Sequence, residues 1–137
     1  MYFLIYTSYA HHTNEQELKA LLHQAQEKNK KKSITGMLLY LNGIYIQLLE
    51  GQQKDVQLLY EKILRDSRHE EIVLLKEDTI EKRFYADWSM GFKTISADEL
   101  NTEENYRCLN PLNKQNADAV LKVFKLLSTD SVKHETL

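Results

Sequence analysis

The stretch Met37-Leu38-Leu39-Tyr40-Leu41-Asn42-Gly43-Ile44-Tyr45-Ile46-Gln47-Leu48-Leu49-Glu50-Gly51 constrains the fold more than any other, because it joins two apolar runs through Asn-Gly. Both central residues of a type I′ turn need positive φ, which Asn and Gly tolerate, so the stretch predicts a β-hairpin with a two-residue loop. That loop sets the register: Leu41 opposite Ile44, Leu39 opposite Ile46, Leu38 opposite Gln47 and Gly36 opposite Leu49. Gly36, Leu38, Gln47 and Leu49 then share one face. Gly36 is expected to leave a gap there, and a buried Gln47 amide without partners costs about 1–3 kcal/mol. An amide beside a gap suggests a polar ligand; water or a neighbouring backbone group would serve a half-exposed glutamine equally well.

The flanking segments follow from their periods. Tyr2 to Ser8 is apolar, aromatic and β-branched, a first strand with Leu4, Tyr6 and Ser8 on one face. Thr13-Asn14-Glu15-Gln16 fits a capping box, and Leu18, Leu21, Leu22 and Ala25 follow at helical spacing to an end near Asn29. After Gly51, the residues Val56, Leu59, Tyr60, Ile63 and Leu64 mark a second amphipathic helix, closed by Asp66 to His69. Ile72 to Leu75 reads as a fourth strand and Trp88 to Thr94 as a fifth, joined by the charged stretch from Lys76 to Arg83. The order βαββαββ predicts a ferredoxin-like α+β fold with two helices on one face of the sheet. From Ser96, which pairs with Glu99 as a second capping box, the pattern turns helical. A short helix runs to about Arg107, Pro111 stops it, and a helix from Asn113 to about Ser128 carries Ala117, Val120, Leu121 and Phe124 on one side to cover the other sheet face. We expect residues 1–95 as one unit and 96–137 as a helical extension, with a polar, frayed tail from Thr129.

Composition narrows the function. The 137 residues carry 18 basic and 20 acidic side chains, a net charge of −2, which argues against direct binding to nucleic acid or to an anionic membrane. Lys28-Asn29-Lys30-Lys31-Lys32 reads as a solvated helix end. Cys108 stands alone, so no disulfide framework or thiolate metal site is expected, and a cytoplasmic location fits. No signal peptide or spanning segment is expected. The five histidines lack ligand spacing, and the four glycines make no phosphate loop or dinucleotide fingerprint. What does recur is a set of unusual strand residues: Tyr6, Gln47, and Trp88-Ser89-Met90, where Trp88 and Met90 share a parity. Together they read as a hydrogen-bonded, redox-capable cluster, whereas on residue type alone core filling is the safer reading of Trp and Met.

Five blocks in order change that balance: Leu4-Ile5-Tyr6-Thr7-Ser8; Asn29 followed by Ile34-Thr35-Gly36-Met37-Leu38-Leu39-Tyr40; Ile46-Gln47-Leu48-Leu49-Glu50-Gly51; Asp66-Ser67-Arg68-His69; and Phe84 followed by Trp88-Ser89-Met90. Over about its first 95 residues the chain resembles the blue-light-using-flavin (BLUF) photoreceptor domain. The resemblance implies FAD held non-covalently, with FMN or riboflavin as alternatives, its ring between the two helices. By position it implies Tyr6 as the photoactive tyrosine, Gln47 as the switching glutamine and Asn29 as a ring hydrogen-bonding asparagine. Leu21 and Ile63 would sandwich the ring. Lys62 stands where the family often has Arg near the ribityl-phosphate portion, which loses a bidentate fork, and Lys28 stands where relatives have Asn or His. Asp66, Arg68 and His69 match the cofactor-side loop, and the loop before the first helix is about one residue shorter than in some relatives.

The resemblance also implies a mechanism without turnover: transient electron and proton transfer from Tyr6 leaves Gln47 in a new hydrogen-bonding state with a small red shift. Trp88 and Met90 would relay the change to the helices after Ser96. No cyclase, phosphodiesterase or helix-turn-helix segment follows, so the expected form is a stand-alone short photoreceptor, not an enzyme, that signals to a separate protein or through self-association. The competing classes are a small ferredoxin-like hydrolase and a cofactor-free interaction module.

Overall fold

The computed structural model describes residues 1–10, 15–41, 43–66, 69–86, 89–109 and 113–129. The first capping box at Thr13-Asn14, the hairpin residue Asn42, Ser67-Arg68, Trp88, the Pro111 stop and the tail from Asp130 lie outside them. Five strands, β1 (Tyr2–Ala10), β2 (Thr35–Leu41), β3 (Ile44–Gly51), β4 (His69–Thr79) and β5 (Gly91–Thr94), form one sheet in the order β4-β1-β3-β2-β5. β1 and β2 both pair antiparallel to β3, so they run parallel to each other and need a crossover. Helix α1 (Glu15–Lys31) supplies it, and α2 (Gln53–Leu64) crosses from β3 to β4. β4 joins β1 antiparallel, whereas β5 joins β2 parallel. This is the expected ferredoxin-like α+β arrangement.

The hairpin register is the one that the Asn-Gly turn dictates, from Leu41 opposite Ile44 to Gly36 opposite Leu49. Gly36 departs from expectation in one respect. A Cβ built on it would lie 2.0 Å from the Leu48 carbonyl oxygen, so the missing side chain leaves no gap: the β3 backbone fills that space.

Alternation along the strands divides the core in two. Tyr2, Leu4, Tyr6, Leu38, Tyr45 and Leu49 face Leu18 and Leu22 of α1 and Val56 of α2. Phe3, Ile5, Met37, Leu39, Ile46 and Leu48 face the opposite way, against the last helix, α4 (Ala117–Thr129). Ala117, Val120 and Phe124 of α4 are buried as its stripe predicts, and Val123 and Leu127 join them. Between β5 and α4 come α3 (Ala97–Thr102), capped by the expected Ser96 and Glu99 box, and 3₁₀ turns at Glu104–Leu109 and Lys114–Asn116.

Several boundaries differ from the sequence reading: β1 runs on to Ala10, α3 stops at Thr102 and α4 starts at Ala117, with 3₁₀ turns between them, and three more differences bear on the site. α1 runs on to Lys31. β4 spans His69–Thr79, so Lys76 to Thr79 belongs to a strand: β1 offers backbone partners as far as Tyr2 opposite Thr79, and charged side chains suit an exposed edge. β5 begins only at Gly91, because its ladder with β2 starts at Gly91 opposite Met37.

The segment before β5 is anchored by a buried carboxylate. Glu50 accepts from the backbone N–H groups of Phe84 (2.8 Å) and Tyr85 (2.7 Å) and from the Thr35 hydroxyl (2.9 Å). Arg83 adds bonds to the Thr35 hydroxyl and the Glu50 carbonyl. Tyr85 then donates its hydroxyl to the Phe124 carbonyl at 2.5 Å, tying the same loop to α4.

Candidate functional site

A cavity of about 450 Å³ opens between α1 and α2 above the sheet. Its floor is Tyr6 and Gln47, opposite one another on β1 and β3. Register explains the meeting: in an antiparallel pair, directly opposed residues point to the same face, and here that face carries the two crossover helices. β4 changes register beside this point, between Ile5 and Tyr6, a bulge of the kind that re-aims side chains near sites.

The Tyr6 phenol donates to Gln47 Oε1, and Gln47 Nε2 lies 3.2 Å from Met90 Sδ. Gln47 is 9% exposed and Tyr6 fully buried, so these partners offset the cost of burying the amide. Burial pushes the Tyr6 phenol far above its ordinary value, with Tyr60 and Asp66 adding to the effect. Tyr6 therefore stays a neutral hydrogen-bond donor at any ordinary pH. The Tyr60 ring leans against it, with centroids 5.6 Å apart.

Leu21 and Ala25 of α1 and Leu59 and Ile63 of α2 make apolar walls. Lys28, Lys32, Lys62 and Asp66 stand at the mouth. Lys32, and then Lys28, draw the Lys62 ammonium below its ordinary value, as expected where like charges crowd together. A cluster of cations at the rim of an apolar cleft suits a flat ring carrying an anionic tail. Asn29, 3% exposed, also lines the cavity and donates from Nδ2 to the Ser89 carbonyl at 3.0 Å.

Of the residues singled out from sequence, Tyr6, Leu21, Lys28, Asn29, Gln47, Lys62, Ile63 and Asp66 meet around this one cavity. Met90 reaches it through Gln47, but not by strand parity. It precedes β5, and its position follows from bonds that α1 makes to the main chain of residues 89 and 90. Arg68, Trp88 and the His69 side chain lie outside the described residues. Sequence reasoning missed Lys32 and Gln26. Gln26 is 5% exposed and donates to the Met90 carbonyl at 2.9 Å; its place one turn before Asn29 on the same helix face is the signal that could have found it. Among the described residues, no cluster of His, Cys, Asp and Glu could hold a metal ion, and no helix is long and apolar enough to cross a membrane.

A cleft between two crossover helices, walled by leucine and isoleucine and floored by a phenol bonded to a carboxamide, suits a flat cofactor with polar edges. The chain belongs to the BLUF family, described as sensors of blue light using FAD, whose model matches residues 1–91. The photoactivated adenylate cyclase subunit beta of Euglena longa is 40% identical over 79 residues, which are 57% of this chain and 9% of that protein. The subunit alpha of Euglena gracilis is 34% identical over 77 residues, 8% of its length. The chain thus spans less than a tenth of these curated relatives. Among solved structures, BlsA in its photo-activated state aligns with a TM-score of 0.80 at 29% identity, covering 99% of both chains. The dark-state structure of the BLUF protein BlrB aligns at 0.76 and 25% identity, over 93% of this chain and 94% of its own. A bacterial light-regulated adenylyl cyclase aligns at 0.65 and 33% identity, over 93% of this chain and 35% of its own.

Proposed function

We propose that this protein is a blue-light photoreceptor that holds FAD between α1 and α2 without a covalent bond and signals through the hydrogen bonding of Gln47. The observation that carries the reading is the Tyr6 phenol donating to the Gln47 amide at the floor of the cavity. Leu21 and Ile63 would clasp the ring, Asn29 would bond its polar edge with the amide atoms left over from Ser89, and Lys28 and Lys62 would meet the phosphates at the mouth. Asp66 borders the same mouth, and Arg68 and His69 complete the cofactor-side loop in this reading. FMN and riboflavin present the same ring to the same walls.

A bound flavin supplies an oxidant that exists only while it is excited by light. Tyr6 would be the donor: its neutral phenol keeps the proton on its own oxygen, hydrogen-bonded to Gln47 Oε1, and would release it along that bond once an electron is withdrawn. Gln47 is the switch, because a carboxamide has a donor end and an acceptor end and can exchange them without any bond to the protein breaking. Met90, in contact with the donor end, and Trp88 would pass the change to β5 and the helices beyond. The sensing unit in this reading is residues 1–95 and the output extension is 96–137. In this reading the protein itself turns nothing over and works in the cytoplasm through a separate partner protein or a second copy of itself.

One absorption spectrum, before and after blue illumination, tests this. The protein reconstituted with FAD is expected to be yellow and to show a red shift of its flavin bands that reverses in darkness. Gln47→Leu keeps the bands and loses the shift, and Tyr6→Phe loses the photocycle. A polypeptide that retains no chromophore from excess FAD overturns the reading, as does a normal shift in Gln47→Leu.

A further inference from the structure

Met90 is gripped at two points by two glutamines. Gln47 Nε2 faces its sulfur at 3.2 Å, and Gln26 Nε2 donates to its carbonyl at 2.9 Å. One turn further along α1, Asn29 holds the neighbouring Ser89 carbonyl. The two amides sit three residues apart, on one face of the helix, and bind consecutive carbonyls just ahead of the first β5 ladder pair. Asn29 also lines the cavity, whereas Gln26 is not among the residues that line it. Gln26 is thus a buried amide beside the site that, among the described residues, hydrogen-bonds the main chain of Met90.

A thioether sulfur accepts a weak hydrogen bond and cannot donate one. If the Gln47 amide exchanges its ends, an oxygen replaces the N–H group against Met90 Sδ, and that contact turns from favourable to repulsive. Either the Met90 side chain or its backbone must then yield. We propose that Gln26 is a positioning residue that pins the Met90 main chain to α1, so that the turn of Gln47 is taken up by the Met90 side chain. The strain held there drives the return to the dark state. The inference rests on the photoreceptor reading and adds to it a residue outside the cavity lining.

The test uses the full chain with FAD, labelled with 1-¹³C-methionine, with the Met90 band assigned by its loss in Met90→Leu. In the parent protein, light-minus-dark infrared spectra are expected to show a silent Met90 carbonyl. In Gln26→Leu the flavin binds and still shifts to the red, but the Met90 carbonyl band moves up in the dark and changes on illumination. Dark recovery slows about fivefold, the rate equivalent of one ordinary hydrogen bond. Gln26→Glu supplies a second arm, since a buried carboxyl donates when protonated and loses that ability when ionised. Its recovery, relative to the parent at each pH, is expected to match at low pH and to slow as pH rises. Unchanged recovery with a silent carbonyl in Gln26→Leu overturns the proposal. If Gln26→Leu fails to hold flavin, a flat pH profile in Gln26→Glu overturns it and a sloping one supports it. A parent protein without a red shift counts against the photoreceptor reading itself, so the two failures are distinguishable.

Discussion

The two faces of the sheet are built from alternate residues of the same strands, yet they are finished differently. On the α4 side, Ile46 and Leu48 meet Val120, Val123 and Phe124 in a continuous apolar core. On the α1 and α2 side, Tyr6 and Gln47 carry polar groups into a cleft of about 450 Å³. The closed face is held chiefly by burial, with the Glu50 carboxylate and the Tyr85 hydroxyl bonded to main-chain groups beside it. The open face keeps room for a ligand and depends on specific hydrogen bonds in its place. Stability and function are therefore separated by pleat parity, and substitutions one residue apart on a strand should fall on different properties.

Phe124→Ala probes the closed face most severely. Deleting a fully buried phenyl group is expected to cost about 3–5 kcal/mol in urea denaturation, because the surrounding core collapses only in part. Glu50→Ala comes next, at about 3 kcal/mol, since it leaves the Phe84 and Tyr85 N–H groups without their acceptor. Leu21→Ala sharpens the contrast. On the open face it should change the stability of the flavin-free protein by less than about 1 kcal/mol while weakening FAD binding several-fold in a fluorescence titration. A loss as large as that of Phe124→Ala would erase the distinction between the faces. The smallest effect lies at the rim of α4, where Asp118 pairs with Lys76 on β4 at 2.8 Å. The hydrogen bond from Lys76 holds the Asp118 carboxyl below its ordinary value. The pair thus contributes stability above the unfolded carboxyl's titration, and that contribution fades as pH falls through the lowered folded value. The difference in urea midpoint between the parent and Asp118→Asn should be small at neutral pH, as for exposed pairs generally, and vanish in acid.

Most of the fold was legible in residue order. Asn42-Gly43 set the hairpin register, the alternation in Tyr2 to Ser8 assigned faces, and the stripe on α4 announced what it would cover. The edges of β4 and β5 were not, because a strand's length depends on how far its neighbour offers backbone partners, and that neighbour is remote in sequence. Among site residues, Tyr6 and Gln47 could be found from strand chemistry and from five motifs in order. Gln26 was signalled only by its place one turn before Asn29, and Lys32 by nothing, since an amide or a lysine there reads as solvated until the packing shows what it faces.

The sequence by itself determined which strands and helices form and in what order, the faces of the first strand and the hairpin, and the family to which the chain belongs. These follow from local dihedral preferences and from period. Only the tertiary structure decided that Gly36 closes against the Leu48 carbonyl and that Met90 is set by α1 rather than by its strand. It also decided that the lysines of α1 and α2 converge on one mouth. Each of these depends on distances between segments far apart in the chain, which no local preference encodes.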